Sequence, residues 1–309
     1  MNIVILILFI ILKISYAITN HVQEQQQEQQ LPLPFKRILQ ITTPPMTGND
    51  VIILQHLINR FEYLKEKIQV TGTYDSNTRK AVIILQEQQQ QLLLSTRGVF
   101  GEKEANLLLT CCMNDKYTDD GKPAKEKGYK YKLHVIVNKN RSIESNATLY
   151  DENNNNLFEF KVRAHGHSST NPNATWPDYT NDLGINQLSS SGNTPTGLMS
   201  FDLNSPEDVR KLYGPYPVNR AVAGLDGNAL FLLPNIRNGI LLHTGEWPNW
   251  SPPEQMPNSA GCLHAWPMSI KTIWKTLVNK CNVTVHENTN GKLPYPYKPQ
   301  GILSVELKE

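Results

Sequence analysis

The sequence has little of several things. Only four of its 309 residues are cysteine, charged residues make up 19% of the chain, and the formal charges nearly cancel at +2. So few cysteines exclude a small scaffold held by dense disulfides. A near-neutral chain without a basic stripe is a poor fit to a protein that tracks nucleic-acid phosphates. Past its first residues the chain has no apolar run near the about 20 residues that cross a bilayer. Glutamine and asparagine fill the place of charge, and at roughly 100 to 200 residues per domain the length has room for two folded units.

The N-terminus is the exception to the polar character. Ile3 to Leu12 is an unbroken apolar run of ten residues, followed by Lys13 and then Ile14-Ser15-Tyr16-Ala17. This is the layout of a secretory signal peptide and predicts a secreted, extracellular protein cleaved after residue 17. Losing Lys13 lowers the formal charge from +2 to +1. Asn146, Asn173, Asn249 and Asn282 each begin an Asn-x-Ser/Thr tripeptide, the acceptor of N-linked glycans in a eukaryotic host, which predicts a glycoprotein.

Residues 18–46 contain QEQQQEQQ and several prolines, a composition that predicts a flexible leader. From 47 to 112 the pattern becomes helical. Val51, Leu54, Leu57 and Ile58 recur at helix spacing, Ala81, Val82 and Leu85 supply a second inner face, and Glu102 to Leu109 supplies a third helix. Turns at Gly72 and Gly98 open the second and third helices at an offset of 98 − 72 = 26 residues, a short internal repeat. Asp50, Val51, Leu54, Gln55, Leu57, Ile58 and Asn59, followed by Val70-Thr-Gly-Thr-Tyr-Asp75, Thr78, Ala81, Val82, Leu85 and Gln86, resemble the peptidoglycan-binding-like helical domain of bacterial wall enzymes. The resemblance implies a three-helix bundle that binds wall polymer. Glu104 stands where the second repeat of that family usually has Thr.

Residues 113–130, rich in Lys and Gly, read as a linker. Residues 131–288 read as mainly β, with strands at Leu133–Val137, Leu157–Val162, Leu198–Phe201, Ala229–Leu233 and Gly239–His243 and an Asn153–Asn156 hairpin turn. Helices are expected only at Pro206–Tyr213 and Met268–Asn279, and 289–309 reads as a C-terminal tail. The predicted fold class is thus α plus mainly β, a small three-helix bundle followed by a mainly-β domain.

The chemistry-bearing stretch is Ile240-Leu-Leu-His243-Thr244-Gly245, then a Pro-rich loop, then Ser259-Ala-Gly261-Cys262-Leu-His264. A cysteine nucleophile needs a base and donors for a developing oxyanion, and a glycine beside it lets substrate approach. By itself the pair is also compatible with a disulfide cysteine and a core histidine. His-x-Gly, a spacer and Ser-x-Gly-Cys-Leu are similar to the active-site signature of the L,D-transpeptidases, the YkuD-like family, and Asn193-Thr-Pro-Thr-Gly197 resembles that family's upstream motif.

The resemblance implies that Cys262 attacks a stem-peptide carbonyl and expels D-alanine, that His243 is the base, and that amides near Gly261 and Cys262 hold the oxyanion. It further implies that Thr244, Gly245 and Ser259 shape the substrate site and that Trp247 or Trp250 walls it. His264 stands where many relatives have Arg or Asn, so it is the candidate reader of a substrate carboxylate, as a cation when protonated. The thioester passes to an amine or to water, so a transpeptidase, a wall hydrolase and a non-catalytic wall-binding protein are the competing readings. No cofactor is implied. A zinc site from His165, His167, His243 and His264 lacks an acidic or cysteine ligand at metal spacing. The expected partner is peptidoglycan, bound by a monomer with no membrane span after signal cleavage. The pairing of Cys111, Cys112 and Cys281 stays open.

Overall fold

The structure, a computed structural model, describes residues 31–92, 95–166, 179, 181, 183–225, 227–247 and 254–308. The expected signal peptide at 1–17 and the glutamine tract lie outside those residues, as do His167, Trp250, Asn173 and Asn249. The described residues divide into two compact units. One comprises residues up to Ile52 with Thr71–Leu107, and the other Ile53–Val70 with Leu108–Glu309.

Three helices follow one another in the N-terminal region, α1 (Asn49–Ile58), α2 (Ser76–Gln88) and α3 (Glu102–Cys111). Asp75 caps α2, its carboxylate accepting from the Thr78 N–H at 2.8 Å and the Thr78 hydroxyl at 2.9 Å. At the start of α3, Gly101 has no side chain to do the same. The buried Glu104 reaches back instead, its Oε2 accepting from the Gly101 N–H at 2.9 Å and its Oε1 from Gln86 at 3.0 Å. This is the glutamate half of a capping box, and it gives the Glu104 departure a structural reason.

Residues 31–46 depart from the flexible leader expected of them. Phe35 and Leu39 are buried, the Phe35 and Phe100 rings pack edge-on at 4.8 Å, and Leu39 exchanges backbone hydrogen bonds with Phe100. The apolar side chains that do this lie between prolines and polar residues, so composition hides them.

The second unit is built on a closed eight-stranded barrel. Its strands are β1 (Tyr131–Val137), β2 (Ser145–Asp151), β3 (Asn156–Arg163), β4 (Gly197–Asn204), β5 (Val218–Gly224), β6 (Leu241–His243), β7 (Leu263–Ala265) and β8 (Gly301–Leu307), in spatial order β1-β2-β3-β7-β6-β5-β4-β8. Alternate residues such as Leu133 and Val135, Leu149, Val162, Phe201 and Leu203, and Leu303 and Val305 fill the interior. The short helices α4 (Arg210–Tyr213) and α5 (Ala229–Leu232) and the longer α6 (Pro267–Lys280) complete the unit. Helix α6 starts with proline in its first turn and buries Ile270, Ile273 and Leu277, one face at helical spacing.

Three sequence expectations are corrected here. Residues 289–309 are no tail, because β8 lies between β1, which it pairs in parallel, and β4. Gly301 faces Tyr131 there, and a Cβ would fall 2.2 Å from the tyrosine ring. The 113–130 stretch is no free linker, since Ala124 is buried in a cluster with Leu198 and Ile302, the Tyr117 hydroxyl meets Ser304 at 3.0 Å, and Asp119 pairs with Lys132 at 3.0 Å. Ala229–Leu232 is helical because Asn228 caps it, accepting from the Phe231 N–H at 3.0 Å, where a short apolar run alone does not distinguish helix from strand.

Candidate functional site

Strands β6 and β7 pair in parallel, with Leu242 opposite Leu263 and His243 opposite His264. Side chains alternate along each strand. Leu242 and Leu263 enter the barrel core, while Leu241 and Cys262 join Val218 and Tyr213 in a separate cluster on the other face. The register thereby carries Cys262, His243 and His264 to one side of the sheet.

His243 is buried and its Nδ1 lies 2.6 Å from the Thr244 carbonyl oxygen. A carbonyl only accepts, so Nδ1 carries the proton and the neutral ring presents Nε2 as its basic atom. Burial lowers His243 to about 4, against a smaller opposing effect of the Thr244 hydrogen bond. The ring stands edge-on to His264 at 4.7 Å and tilted against Tyr213 at 5.0 Å.

The Cys262 sulfur accepts from the Leu241 N–H at 3.4 Å, and its S–H donates to the Gly239 carbonyl at 3.4 Å. No hydrogen bond joins Cys262 to His243. Burial pushes the thiol up to about 11, opposed by the Leu241 N–H and by the positive charges of Arg237 and Arg220. All four cysteines are free, with the Cys111 and Cys112 sulfurs 3.4 Å apart, so no disulfide to Cys281 removes the candidate nucleophile.

The turn before Cys262 is tightly held. Gly261 has φ +109°, and a Cβ there would fall 2.5 Å from Arg237 Nη2 and 2.9 Å from the Gly192 oxygen. Ser259 Oγ donates to the Cys262 carbonyl at 2.7 Å and accepts from the Gly261 N–H at 3.1 Å. The Gly261 amide is therefore already engaged, which corrects its expected part in an oxyanion hole and leaves the Cys262 amide as the candidate donor. Thr194, from the Asn193–Gly197 motif, donates its hydroxyl proton to the Cys262 carbonyl at 3.1 Å. That upstream motif is thus bonded to the cysteine turn.

His264 is also corrected. It is buried, its Nδ1 donates to the Pro257 carbonyl at 2.8 Å, and burial with the neighbouring His243 holds it well below the usual imidazole range. A neutral, enclosed ring does not read a carboxylate as a cation. It buttresses His243 instead, with the buried Trp247 packed on it at 5.0 Å. Gly245 makes room for that indole, since a Cβ would fall 2.2 Å from Trp247 Nε1, and the Thr244 hydroxyl is buried next to His243 in sequence without a hydrogen-bond partner among the described residues.

Sequence reasoning missed Arg237. Its buried guanidinium donates to the carbonyls of Ser189 at 2.8 Å, Gly192 at 3.0 Å and Asn193 at 2.9 Å, while abutting Gly261. The surrounding Asn235-Ile-Arg-Asn-Gly239 has no periodicity and no motif to single the arginine out. Among the described residues no three His, Cys, Asp or Glu side chains come together as metal ligands, and no helix is long and apolar enough to cross a membrane.

Comparison with known families reaches the helical region. Residues 47–103 match the family model described as "putative peptidoglycan binding domain". The chain carries a peptidoglycan-binding domain. That supports peptidoglycan as its partner. No curated protein and no solved structure matches the chain.

Proposed function

We propose that the chain is an exported cysteine acyltransferase of L,D-transpeptidase type that acts on the stem peptides of peptidoglycan. The observation that carries this reading is the placement of Cys262 and His243 on one sheet face, with His243 Nδ1 pinned so that Nε2 is the base, in a chain that also carries a peptidoglycan-binding domain. In this reading a bound peptide draws the thiol away from Gly239. As sulfur attacks the acyl carbonyl, His243 Nε2 takes the thiol proton and then returns it to the departing D-alanine amine. The Cys262 amide donates to the oxyanion, and the thioester passes to an amine, forming a crosslink, or to water.

Apo cysteine sites often have long catalytic hydrogen bonds that close only with substrate, so the separate tethers of Cys262 and His243 fit a resting state. The same tethers also fit a domain that recognises wall peptide without reacting. Release of D-alanine from a stem tetrapeptide decides between them, with Cys262→Ala as control. Release by the wild type and none by the variant is expected; equal behaviour of the two sinks the catalytic reading. Adding an amine acceptor and weighing the products separates crosslinking from hydrolysis.

A further inference from the structure

His264 is buried, so a carboxylate on a bound peptide would find its donors elsewhere. A cavity of about 400 Å³ lies against β5, and its lining residue Arg220 pairs across to Leu241, a neighbour of the Cys262 thiol. Val218 and Arg220 alternate to one face of β5, and a bulge follows at Val222, which has no partner on β4. Val218 clusters with Cys262, and Arg220 and Val222 line the cavity. Gly239 joins the two places, for its carbonyl takes the Cys262 thiol proton and its backbone also lines the cavity.

The walls are aliphatic, from Val222, Ala223 and Leu230 with the Phe231 ring, and among the described residues no acidic side chain lines the space. Two cationic groups there are uncommitted. Arg220 is 6% exposed, and its Nε and Nη2 are tied to Asn204, Glu207 and Asn288, while Nη1 makes no hydrogen bond among the described residues. Lys292 is exposed at the rim, and its ammonium makes no ion pair among the described residues.

We propose that this cavity is a subsite for the carboxylate-bearing end of a peptide, with Arg220 Nη1 and Lys292 on the carboxylate and the aliphatic walls around a short apolar side chain. Its volume falls within the range of ligand pockets and suits one or two residues. The Glu207 pair offsets the charge of Arg220 but leaves its Nη1 protons free to donate, and Lys292 supplies net positive charge. The identity of the peptide as an acyl donor rests on the acyltransfer reading above. The binding itself needs no turnover.

The test uses the full chain carrying Cys262→Ser, titrated calorimetrically with acetyl-L-lysyl-D-alanine and with its C-terminal carboxamide. The free acid is expected to bind roughly tenfold more tightly than the amide, as a charge-assisted pair predicts. Lys292→Met and Arg220→Lys should each shrink that ratio, and Val222→Trp should abolish binding by filling the cavity without touching a charged group. Lys292 is exposed, so its variant reports even if the buried Arg220 change harms folding. Equal binding of acid and amide, no binding of either, or a ratio that survives both charge variants overturns the subsite. Acid preference in a chain whose wild type releases no D-alanine overturns the acyltransfer reading alone.

Discussion

His243 and His264 face each other across the parallel β6–β7 pair with ring centroids 4.7 Å apart, each donating its Nδ1 proton to a backbone carbonyl. Both rings are buried, and burial lowers both, His243 to about 4. Unfolded, each imidazole titrates near about 6.5, so in that interval the unfolded chain binds more protons than the folded one. Folding stability is therefore expected to fall as pH drops below about 6.5, with the His243 share, roughly 3 kcal/mol, spent by the time pH reaches its folded value. Urea unfolding followed across that range measures it. A profile that stays flat until the carboxylates titrate would contradict two neutral buried imidazoles.

The tether of the Cys262 thiol to Gly239 makes a prediction about reactivity. Because burial holds the thiol at about 11 and the imidazole at about 4, the ligand-free protein at neutral pH has a neutral thiol and a neutral imidazole. Iodoacetamide should alkylate Cys262 more slowly than a free cysteine at neutral pH, and the rate should keep climbing well above pH 9. A plateau below pH 7 would instead reveal a preformed thiolate–imidazolium pair. In turnover, proton transfer to His243 requires its neutral form, so kcat/KM should fall as pH drops through about 4.

Gly261 and Arg237 stand or fall together. Ala at Gly261 puts a Cβ 2.5 Å from the guanidinium at a φ of +109°, where L-residues are strained. Gly261→Ala is expected to cost on the order of 1–3 kcal/mol and to lower D-alanine release, measured as urea midpoint and rate. Arg237→Met leaves three buried carbonyls without their donor, a loss of roughly 2–5 kcal/mol. It also removes a cation that lowers the Cys262 thiol, so the alkylation profile should move to still higher pH. Loss of stability with no movement of that profile would make Arg237 a purely structural residue.

How far the sequence reveals these features depends on whether the cause is local. The helices around Val51, Ala81 and Leu108 are legible because their apolar spacing is a short-range signal, and Cys262 and His243 are legible through the resemblance carried by His-x-Gly and Ser-x-Gly-Cys-Leu, the pair alone being equally compatible with a disulfide cysteine and a core histidine. β8 is not legible, because a seven-residue strand near the C-terminus acquires its meaning from β1 and β4, far away in sequence. The same applies to the 113–130 strap, whose hooks Tyr117, Asp119 and Ala124 lie among lysines and glycines. Arg237 and the neutrality of His264 depend on burial, a property of the folded chain. Its position in the resembling motif made His264 a candidate carboxylate reader; its burial, with Trp247 packed on it, makes it a support for His243.

Glu104 offers a test confined to the N-terminal region. Its carboxylate accepts from the Gly101 N–H and from Gln86 Nε2, and Gln86 in turn accepts from the Gly98 N–H at 2.8 Å while donating to the Thr96 and Val99 carbonyls. The glutamate thus fastens both the start of α3 and the turn that precedes it. Glu104→Ala removes the cap and one acceptor of a buried amide, a loss of about 1–3 kcal/mol. Glu104→Gln keeps an acceptor for the Gly101 N–H and should recover part of it. Thr, the residue of the equivalent position Thr78 in the first repeat, suits a helix whose cap residue has a side chain, as Asp75 has for Thr78. Glu104→Thr alone should therefore destabilise, and pairing it with Gly101→Asp, which restores that arrangement, should return much of the loss. Thermal unfolding of the four variants reads this directly, and a double variant no more stable than Glu104→Thr would show that the two repeats are not capped by interchangeable devices.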